Sequence, residues 1–360
     1  MRVLGIDPGT VTVDLCGLED GGLFLDRSLP TAEALQTPSP LLELIENSRP
    51  IHLVAGPSGY GLPVVAARDL TERDIRLACL TAAGEQGGIG GLSALLRALA
   101  QTPTDVVLTP GVVHLPSVPP HRKVNRVDMG TADKVCAVAL AIKEQVERRG
   151  CGIQAVSLVL LELGGAFSAA IAVDAGRIVD GLGGTSGPLG MRAAGALDGE
   201  VAFLAGRIDK DRLFRGGATA IAGGSSIAGG EPAELEAPRA RLARDAYVES
   251  AVKAVAAMMV AVRQPHEIVL SGRMAAVPSF RRMLEDRLTR IAPDVAVRPL
   301  EGFASVATHA AQGAAIVADG LAGGRFAALV EALEIRRASG TALDHLYFIS
   351  PDDARKRLGI

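Results

Sequence analysis

The first residues of the chain bring a carboxylate, a glycine and two hydroxyls into one short turn. Asp7 ends an apolar run, and Gly9, Thr10 and Thr12 follow it. Glycine lets the backbone approach a phosphate closely, and successive backbone N–H groups in such a turn bind anions. Asp7 can hold Mg²⁺, usually through water, because this ion prefers oxygen ligands. The segment predicts a site for Mg²⁺ and phosphate, and a hairpin turn in which these residues serve only geometry is the alternative.

A second turn in the middle of the chain repeats this order of residue types. Glu162 ends another apolar run and is followed by Gly164, Gly165 and Ser168. Two such turns facing each other across a cleft would hold a phosphate chain from both sides, with Asp7 and Glu162 flanking one divalent ion. The repetition favours the phosphate interpretation, because a single glycine-rich turn is weak evidence by itself.

A third group of residues follows an apolar run that ends at residue 270. Ser271 and Gly272 leave room for a flat ligand against the backbone, and the Arg273 guanidinium can stack on an adenine face or contact a phosphate. We expect these residues to bind the nucleotide. An ordinary strand-to-helix turn is the competing interpretation.

A basic segment precedes a long predicted helix. Arg122 and Arg126 lie in a loop, and Asp128 stands where a helix N-cap would begin. Guanidinium groups together with free helix N–H groups can capture a carboxylate or an acyl phosphate. We predict that the two arginines bind a phosphoryl acceptor and that Asp128 orients it; a solvated basic turn with a structural Asp128 is the alternative. Lys134, inside the helix, faces either the ligand or solvent.

Short apolar runs and turns supply the elements that position these residues. A pattern of three strands joined by tight turns occurs at the start of the chain and again after residue 150, and strands separated by helices favour α/β layers. The strands of the two meanders are predicted at residues 3–6, 11–18 and 23–29, and at residues 155–161, 166–173 and 177–182. The repeat indicates an internal duplication.

The length of 360 residues and this repeat together predict two domains. A long helix is predicted over residues 131–149, and Gly150 is a typical stop signal after it. We therefore predict an N-terminal domain at residues 1–149, a C-terminal domain at residues 150–335 and a tail at residues 336–360. Residues 216–230, rich in Gly, Ala and Ser, are predicted to form a mobile surface loop because they offer few side chains to bury.

Composition narrows the class of protein. The chain has 37 basic and 40 acidic residues, a formal charge of −3, which favours neither nucleic acid nor an anionic membrane as partner. Its four cysteines lack the spacing of a metal site and the density of a secreted scaffold, which indicates reduced thiols. Neither a signal peptide nor an apolar run long enough to cross a bilayer is evident. We expect a soluble, cytoplasmic protein.

The three motifs, in this order, resemble the phosphate-1, phosphate-2 and adenosine motifs of the superfamily that contains acetate kinase, sugar kinases, Hsp70 and actin. The resemblance covers residues 1–335. The chain is most similar to the butyrate kinase branch, in particular an uncharacterised family of predicted butyrate kinases, through residues 122–134 and 310–315. It implies an α/β fold of two ribonuclease H-like (actin-like ATPase) domains, each a mixed five-stranded sheet with helices, with a cleft between them.

The resemblance also implies a function, an ATP-dependent phosphotransferase that uses Mg-ATP. The acceptor would be a small molecule, with a short-chain carboxylate as the butyrate-kinase-like candidate. Acetate and butyrate kinases carry Asn at the position of Asp7, a basic residue near Asp14 and His at the position of Glu162, whereas this chain has acids at all three. The acceptor group, carboxyl or hydroxyl, therefore stays open.

Two other functions of the same superfamily are compatible with the sequence. One is an ATPase that drives a protein partner through domain closure, and the other is a regulator that binds nucleotide without turnover. The oligomeric state is open, with a homodimer as one option.

Overall fold

The chain folds into two compact units, each built around its own mixed sheet. The computed structural model describes residues 1–56, 59–82, 91–224, 227, 237–262 and 264–360. Unit 1 comprises Met1–Val156, Ala175–Ile178 and Glu301–Ile360, and unit 2 comprises Ser157–Asp174 and Val179–Leu300. Two mixed sheets of strands and helices confirm the predicted α/β class.

The first sheet contains six strands in the order β3-β2-β1-β4-β6-β5. β1 to β3 form the predicted antiparallel meander, while β4 runs parallel to β1 and β6 runs parallel to β4. The prediction of five strands misses β5, a two-residue edge strand that pairs antiparallel with β6. The strands are β1 (Arg2–Pro8), β2 (Thr12–Glu19), β3 (Gly22–Pro30), β4 (Leu53–Gly56), β5 (Val65–Ala66) and β6 (Val106–Leu108).

The second sheet has five strands, as predicted, in the order β11-β10-β7-β8-β9. β7 and β8 are antiparallel, and β10 runs parallel to both β7 and β11. Its order repeats that of the first five strands of the other sheet, which supports the predicted duplication. The strands are β7 (Leu158–Leu163), β8 (Ser168–Asp174), β9 (Arg177–Leu182), β10 (Glu267–Ser271) and β11 (Ala296–Pro299).

The helices cover the sheets. Those of unit 1 are Thr31–Gln36, Ser39–Asn47, Glu72–Cys79, Leu92–Ala100, Pro120–Lys123, Ala132–Arg149, His309–Leu321, Ala327–Ala332 and Pro351–Leu358. Those described in unit 2 are Gly199–Ala205, Ala218–Ile221, Pro238–Met258 and Pro278–Ile291. No helix in the described part of the chain is long and apolar enough to cross a membrane.

Helix His309–Leu321 is the centre of unit 1. Its residues from Ala311 to Leu321 are all buried. A methyl group added at Gly5 of β1 would lie 2.1 Å from the backbone nitrogen of Ala315, and one added at Gly313 would lie 1.8 Å from the carbonyl oxygen of Cys136. The helix is therefore in backbone contact with β1 and with helix Ala132–Arg149.

This packing changes the predicted domain division. The predicted boundary at residue 149 is close to the first change of unit, but residues 301–335 belong to unit 1 because helix His309–Leu321 packs there. The predicted tail also belongs to unit 1. Its backbone N–H groups at Tyr347 and Phe348 donate to the Asn125 side chain at 2.7 and 2.9 Å. Contacts between residues so far apart in sequence leave no local signal.

In unit 2, helix Pro238–Met258 covers the sheet through Tyr247, which is fully buried and packs edge-to-face on Phe280 at a ring distance of 5.2 Å. The predicted loop at residues 216–230 is wrong at Ala218–Ile221, a short helix in contact with this long helix. Residues 225, 226 and 228–230 of that prediction lie outside the described residues.

The close contact at Gly313 generates a stability prediction. We expect Gly313→Ala to lower the free energy of unfolding by about 1–3 kcal/mol, because the new methyl group meets backbone that cannot move without separating the two helices. Urea unfolding followed by circular dichroism measures the change. Gly152→Ala is the control, since nothing lies within 4 Å of a methyl group there. Equal unfolding midpoints for the two variants would contradict the packing argument.

Candidate functional site

The turn between β1 and β2 has a shape that requires glycine. The Gly9 N–H donates to the carbonyl oxygens of Asp7 at 3.1 Å and Thr12 at 2.8 Å, and the Thr31 hydroxyl donates to the Gly9 carbonyl at 2.8 Å. A methyl group at Gly9 would lie 2.9 Å from the Thr12 carbonyl oxygen. Gly9 therefore shapes the turn, and its own N–H already bonds within it. Thr10 lies at the partly exposed tip of the same turn.

Two carboxylates stand directly opposite each other below this turn. Asp7 on β1 pairs in register with Asp14 on β2, and both are buried. The Thr12 hydroxyl donates to the Asp14 carboxylate at 3.0 Å, and the Thr308 hydroxyl donates to the Asp7 carboxylate at 2.7 Å. Thr12 thus contacts an acid in this structure.

A third carboxylate, Asp133, was missed by sequence reasoning. It lies in the first turn of helix Ala132–Arg149, where the Thr131 hydroxyl donates to one of its oxygens and the Lys134 ammonium donates to the other at 2.5 Å. An acid in the first turn of a helix is a common stabilising feature, so its position gave no particular signal. The Lys134 side chain therefore contacts an acid of its own helix.

The neighbouring carboxylates differ in their pKa. Burial raises the pKa of Asp7 to about 7, the Asp133 and Asp14 charges add to the shift, and the Thr308 hydrogen bond and Lys134 oppose it. Burial also raises the pKa of Asp133, but the Lys134 charge and the hydrogen bonds outweigh it, so that the net shift is downward. Asp133 is therefore ionised at neutral pH, while Asp7 binds a proton readily.

This oxygen-rich group suits a hard cation. Carboxylate and hydroxyl oxygens are what Mg²⁺ prefers, and a cation beside Asp7 would favour its ionised form. In the described part of the chain, no three His, Cys, Asp or Glu side chains form a metal-binding group by themselves.

The basic segment differs from its prediction at Asp128. Arg122 and Arg126 are partly exposed, at the short helix Pro120–Lys123 and in the loop after it. The long helix begins at Ala132 with Thr131 in the N-cap position, so the predicted N-cap at Asp128 is wrong. Asp128 is buried, and its carboxylate accepts the Gly130 N–H at 3.2 Å, which closes the loop before the helix.

In unit 2, the turn between β7 and β8 has the same tight form. The Gly164 N–H donates to the Phe167 carbonyl at 2.9 Å, and a methyl group at Gly164 would lie 3.2 Å from the Glu162 carboxylate. Gly165 follows at the tip. Ser168 departs from its prediction, because it is fully buried and its hydroxyl donates to the Tyr247 oxygen at 3.1 Å. Ser168 is thus part of the core.

Two predicted motifs meet at the carboxyl ends of adjacent parallel strands of unit 2. Ser271 on β10 pairs in register with Glu162 on β7. Gly272 has a φ of 91°, and a methyl group there would lie 2.4 Å from the Leu163 carbonyl oxygen. Arg273 is exposed beside them. The carboxyl edge of parallel strands is where α/β proteins commonly bind ligands.

Arg192 lies beside the turn between β7 and β8, and it was not identified from the sequence. Its backbone N–H and that of Ala193 donate to the Ala166 carbonyl at 3.0 and 3.1 Å. Its guanidinium lies 5.5 Å from the centre of the Phe214 ring, which packs edge-to-face on Phe167 at 4.8 Å. This exposed cation is held next to the glycine turn by backbone contacts that the sequence does not reveal.

The comparisons with known proteins agree on the fold. The family described as "Protein of unknown function (DUF1464)" matches residues 5–348. Similar solved structures include acetate kinases from Entamoeba histolytica and Porphyromonas gingivalis and a propionate kinase from Francisella tularensis, with TM-scores of 0.57, 0.59 and 0.61. Identities are 13%, 14% and 12%, covering 81%, 87% and 87% of this chain and 87%, 98% and 98% of theirs.

None of the curated proteins matches this chain. The similar solved structures confirm the predicted fold, which is that of the acetate and propionate kinases.

The raised pKa of Asp7 generates a prediction for stability against pH. The folded protein binds this proton more tightly than the unfolded chain, so stability falls as pH rises from about 4 to about 7. Asp7→Asn removes this cost. We expect its free energy of unfolding to exceed that of the wild type by about 2–4 kcal/mol at pH 8 and by little near pH 4.5.

Urea unfolding at the two pH values provides the measurement. Asp174→Asn, at the exposed acid that ends β8, is the control and should change stability little at either pH. An Asp7→Asn effect of the same size at both pH values would argue against a protonated Asp7.

Proposed function

We propose that this chain, which belongs to the DUF1464 family, is an ATP-dependent phosphotransferase that moves a phosphoryl group from Mg-ATP to a small molecule. The observation that carries the proposal is the duplicated turn. In each sheet, the hairpin turn carries a carboxylate and at least one glycine. The strand before the turn, β1 or β7, pairs antiparallel with the strand after the turn and parallel with its neighbour on the other side. The kinase-like fold supports the same reaction.

The residues divide the work as follows. Asp7 in unit 1, and likewise Glu162 in unit 2, is a carboxylate that would hold hydrated Mg²⁺, which when bound neutralises charge on phosphates. Within unit 1 the turn at Thr10 would bind phosphate; within unit 2 the turn at Gly164–Gly165 would do so, and Gly272 and Arg273 would line the nucleotide base. Phosphoryl transfer needs mainly positioning and charge stabilisation from the protein. Arg192, exposed beside the second turn, is suited to supply positive charge to the transferring group.

The acceptor is a small molecule with a carboxyl or hydroxyl group. Arg122 and Arg126, both partly exposed, favour an anion such as a short-chain carboxylate. The acids around Asp7 favour a neutral hydroxyl compound, because a second anion would be repelled there. Asp133, kept ionised by Lys134, can accept the proton that a hydroxyl must lose, whereas a carboxylate acceptor has no proton to lose. We assign the activity to the cytoplasm, without nucleic acid or membrane as partner.

A second candidate function is an ATPase or nucleotide-binding regulator that acts on a protein partner. Helix Gly199–Ala205 favours it, because the helix has no buried residue and exposes Phe203 and Leu204 by 79% and 80%. Exposed apolar groups of this size are typical of interaction surfaces. A homodimer would use the same surface.

The first test measures ADP formation from Mg-ATP against short-chain carboxylates, sugars and other small hydroxyl compounds. We expect turnover that depends on an acceptor, and we expect Asp7→Ala to lower it by about 100-fold or more through loss of the metal-binding oxygens. Asp174→Ala is the matched control at a hairpin turn outside the site. Slow ADP formation that does not depend on the acceptor would favour the ATPase. Nucleotide binding without ADP formation would favour the regulator. Unchanged turnover in Asp7→Ala would refute the assignment.

The role of Asp133 separates the two acceptor classes. With a hydroxyl acceptor, Asp133→Asn should lower kcat by about 10²–10⁴-fold, because the proton acceptor is lost. With a carboxylate acceptor, kcat should change far less. Steady-state kinetics with one acceptor of each class decide the point, and a thermal melt of the variant controls for folding. An equal loss with both classes would mean that Asp133 has another role.

A further inference from the structure

The segment at residues 301–308 is held unusually firmly to unit 1. Seven consecutive backbone N–H groups, from Glu301 to Ala307, each donate to a side chain of that unit. The Glu144 carboxylate accepts the first two, the Gln312 side-chain oxygen the next two, and the Asp26 carboxylate the last three. A loop normally leaves such groups to water, so this segment has one fixed shape.

Of these three acceptor side chains, Asp26 makes the most hydrogen bonds to the segment. Its carboxylate accepts the N–H groups of Ser305, Val306 and Ala307 at 2.9, 3.0 and 2.6 Å and the Ser305 hydroxyl at 3.1 Å. Hydrogen bonds to an ionised acceptor are about twice as strong as neutral ones. They fix the backbone immediately before Thr308.

The fixed segment ends at a side chain with two contacts. The Thr308 oxygen accepts the Ala311 N–H at 3.3 Å, as an ordinary helix N-cap does. Its hydroxyl hydrogen is donated to the Asp7 carboxylate at 2.7 Å. A hydroxyl has a single hydrogen, so this donor is committed to Asp7. Capping alone requires only the oxygen and leaves the second contact unexplained.

We propose that Thr308 is a positioning residue for Asp7, and that the segment at residues 301–308 exists to hold the Thr308 hydroxyl against that carboxylate. The proposal rests on the function proposed above, in which Asp7 would hold the Mg²⁺ of Mg-ATP. Asp14 and Asp133 repel the ionised form of Asp7 from β2 and from helix Ala132–Arg149, whereas Lys134 and Thr308 favour it. Thr308 gives this carboxylate a fixed direction as well as a favourable partner.

The test compares three variants of the full chain. Thr308→Val keeps the shape and removes the hydroxyl, and Thr308→Ser keeps the hydroxyl. Thr71→Val is the control, because Thr71 caps helix Glu72–Cys79 by accepting the Asp74 N–H at 3.2 Å and is outside the proposed site. We expect Thr308→Val to raise the KM for Mg-ATP about tenfold, as for one lost hydrogen bond to a charged group. Thr308→Ser and Thr71→Val should stay near wild type.

Crystal structures of the nucleotide-free variants give a readout that needs no activity. We expect the Asp7 carboxylate to turn in Thr308→Val and to keep its wild-type direction in Thr308→Ser. An unchanged Asp7 direction in Thr308→Val overturns the inference. If the wild type has no Mg-ATP turnover, the proposed function fails, while these structures still decide the role of Thr308.

Asp26→Ala tests the segment itself and also serves if Thr308→Val does not fold. It removes the acceptor of four hydrogen bonds without touching Asp7 or Thr308. We expect its crystal structure to show residues 305–307 displaced and the hydrogen bond from Thr308 to Asp7 lengthened or lost. Retention of that bond at its wild-type length would overturn the role of the segment.

Discussion

The backbone contacts of helix His309–Leu321 are the constraint on which unit 1 depends. Gly5 allows the helix to lie against β1, and Gly313 allows it to lie against the Cys136 carbonyl of the neighbouring helix. Those three elements are the ones that carry Asp7, Asp133 and Thr308. Because their backbones touch, the side chains at their ends are brought within hydrogen-bonding and Coulombic range of one another. Packing of small residues in the core thus determines the geometry of a charged site at its edge.

Such a site is costly for the folded chain. Burying carboxylates and placing them beside one another disfavours their ionised forms, and this effect raises the pKa of Asp7. The hydroxyls of Thr12 and Thr308 and the Lys134 ammonium recover only part of this cost. A bound cation would recover more, which is why a group of this kind is more readily explained by a ligand than by stability. The segment before Thr308 also points to a ligand rather than to stability, because seven of its N–H groups donate hydrogen bonds that fix the position of one hydroxyl.

Local patterns predicted much of the fold and part of the site. Alternating apolar runs and turns gave both meanders, and the shared order of carboxylate and glycines gave both hairpin turns. Glu162 and Ser271 lie side by side because β7 and β10 pair in parallel, and sequence periodicity does not show which strands pair. Thr308 was missed because its partner, Asp7, lies far away in sequence. Asp133 was missed because an acid in the first turn of a helix is common. Ser168 shows the opposite error, since a hydroxyl in a strand points to either face of the sheet.

The two copies of the duplicated hairpin have diverged in a way that fits a division of labour. In unit 1, Asp7 of the hairpin contacts hydroxyl and charged side chains, whereas in unit 2 two glycines beside the hairpin, Gly272 and Gly190, lie against its backbone. Gly272 lies against the Leu163 carbonyl, and a methyl group at Gly190 would lie 2.2 Å from the Ala166 carbonyl oxygen. A surface of closely packed backbone suits a flat, neutral ligand surface such as a nucleotide base, and a cluster of ionisable groups suits reaction chemistry.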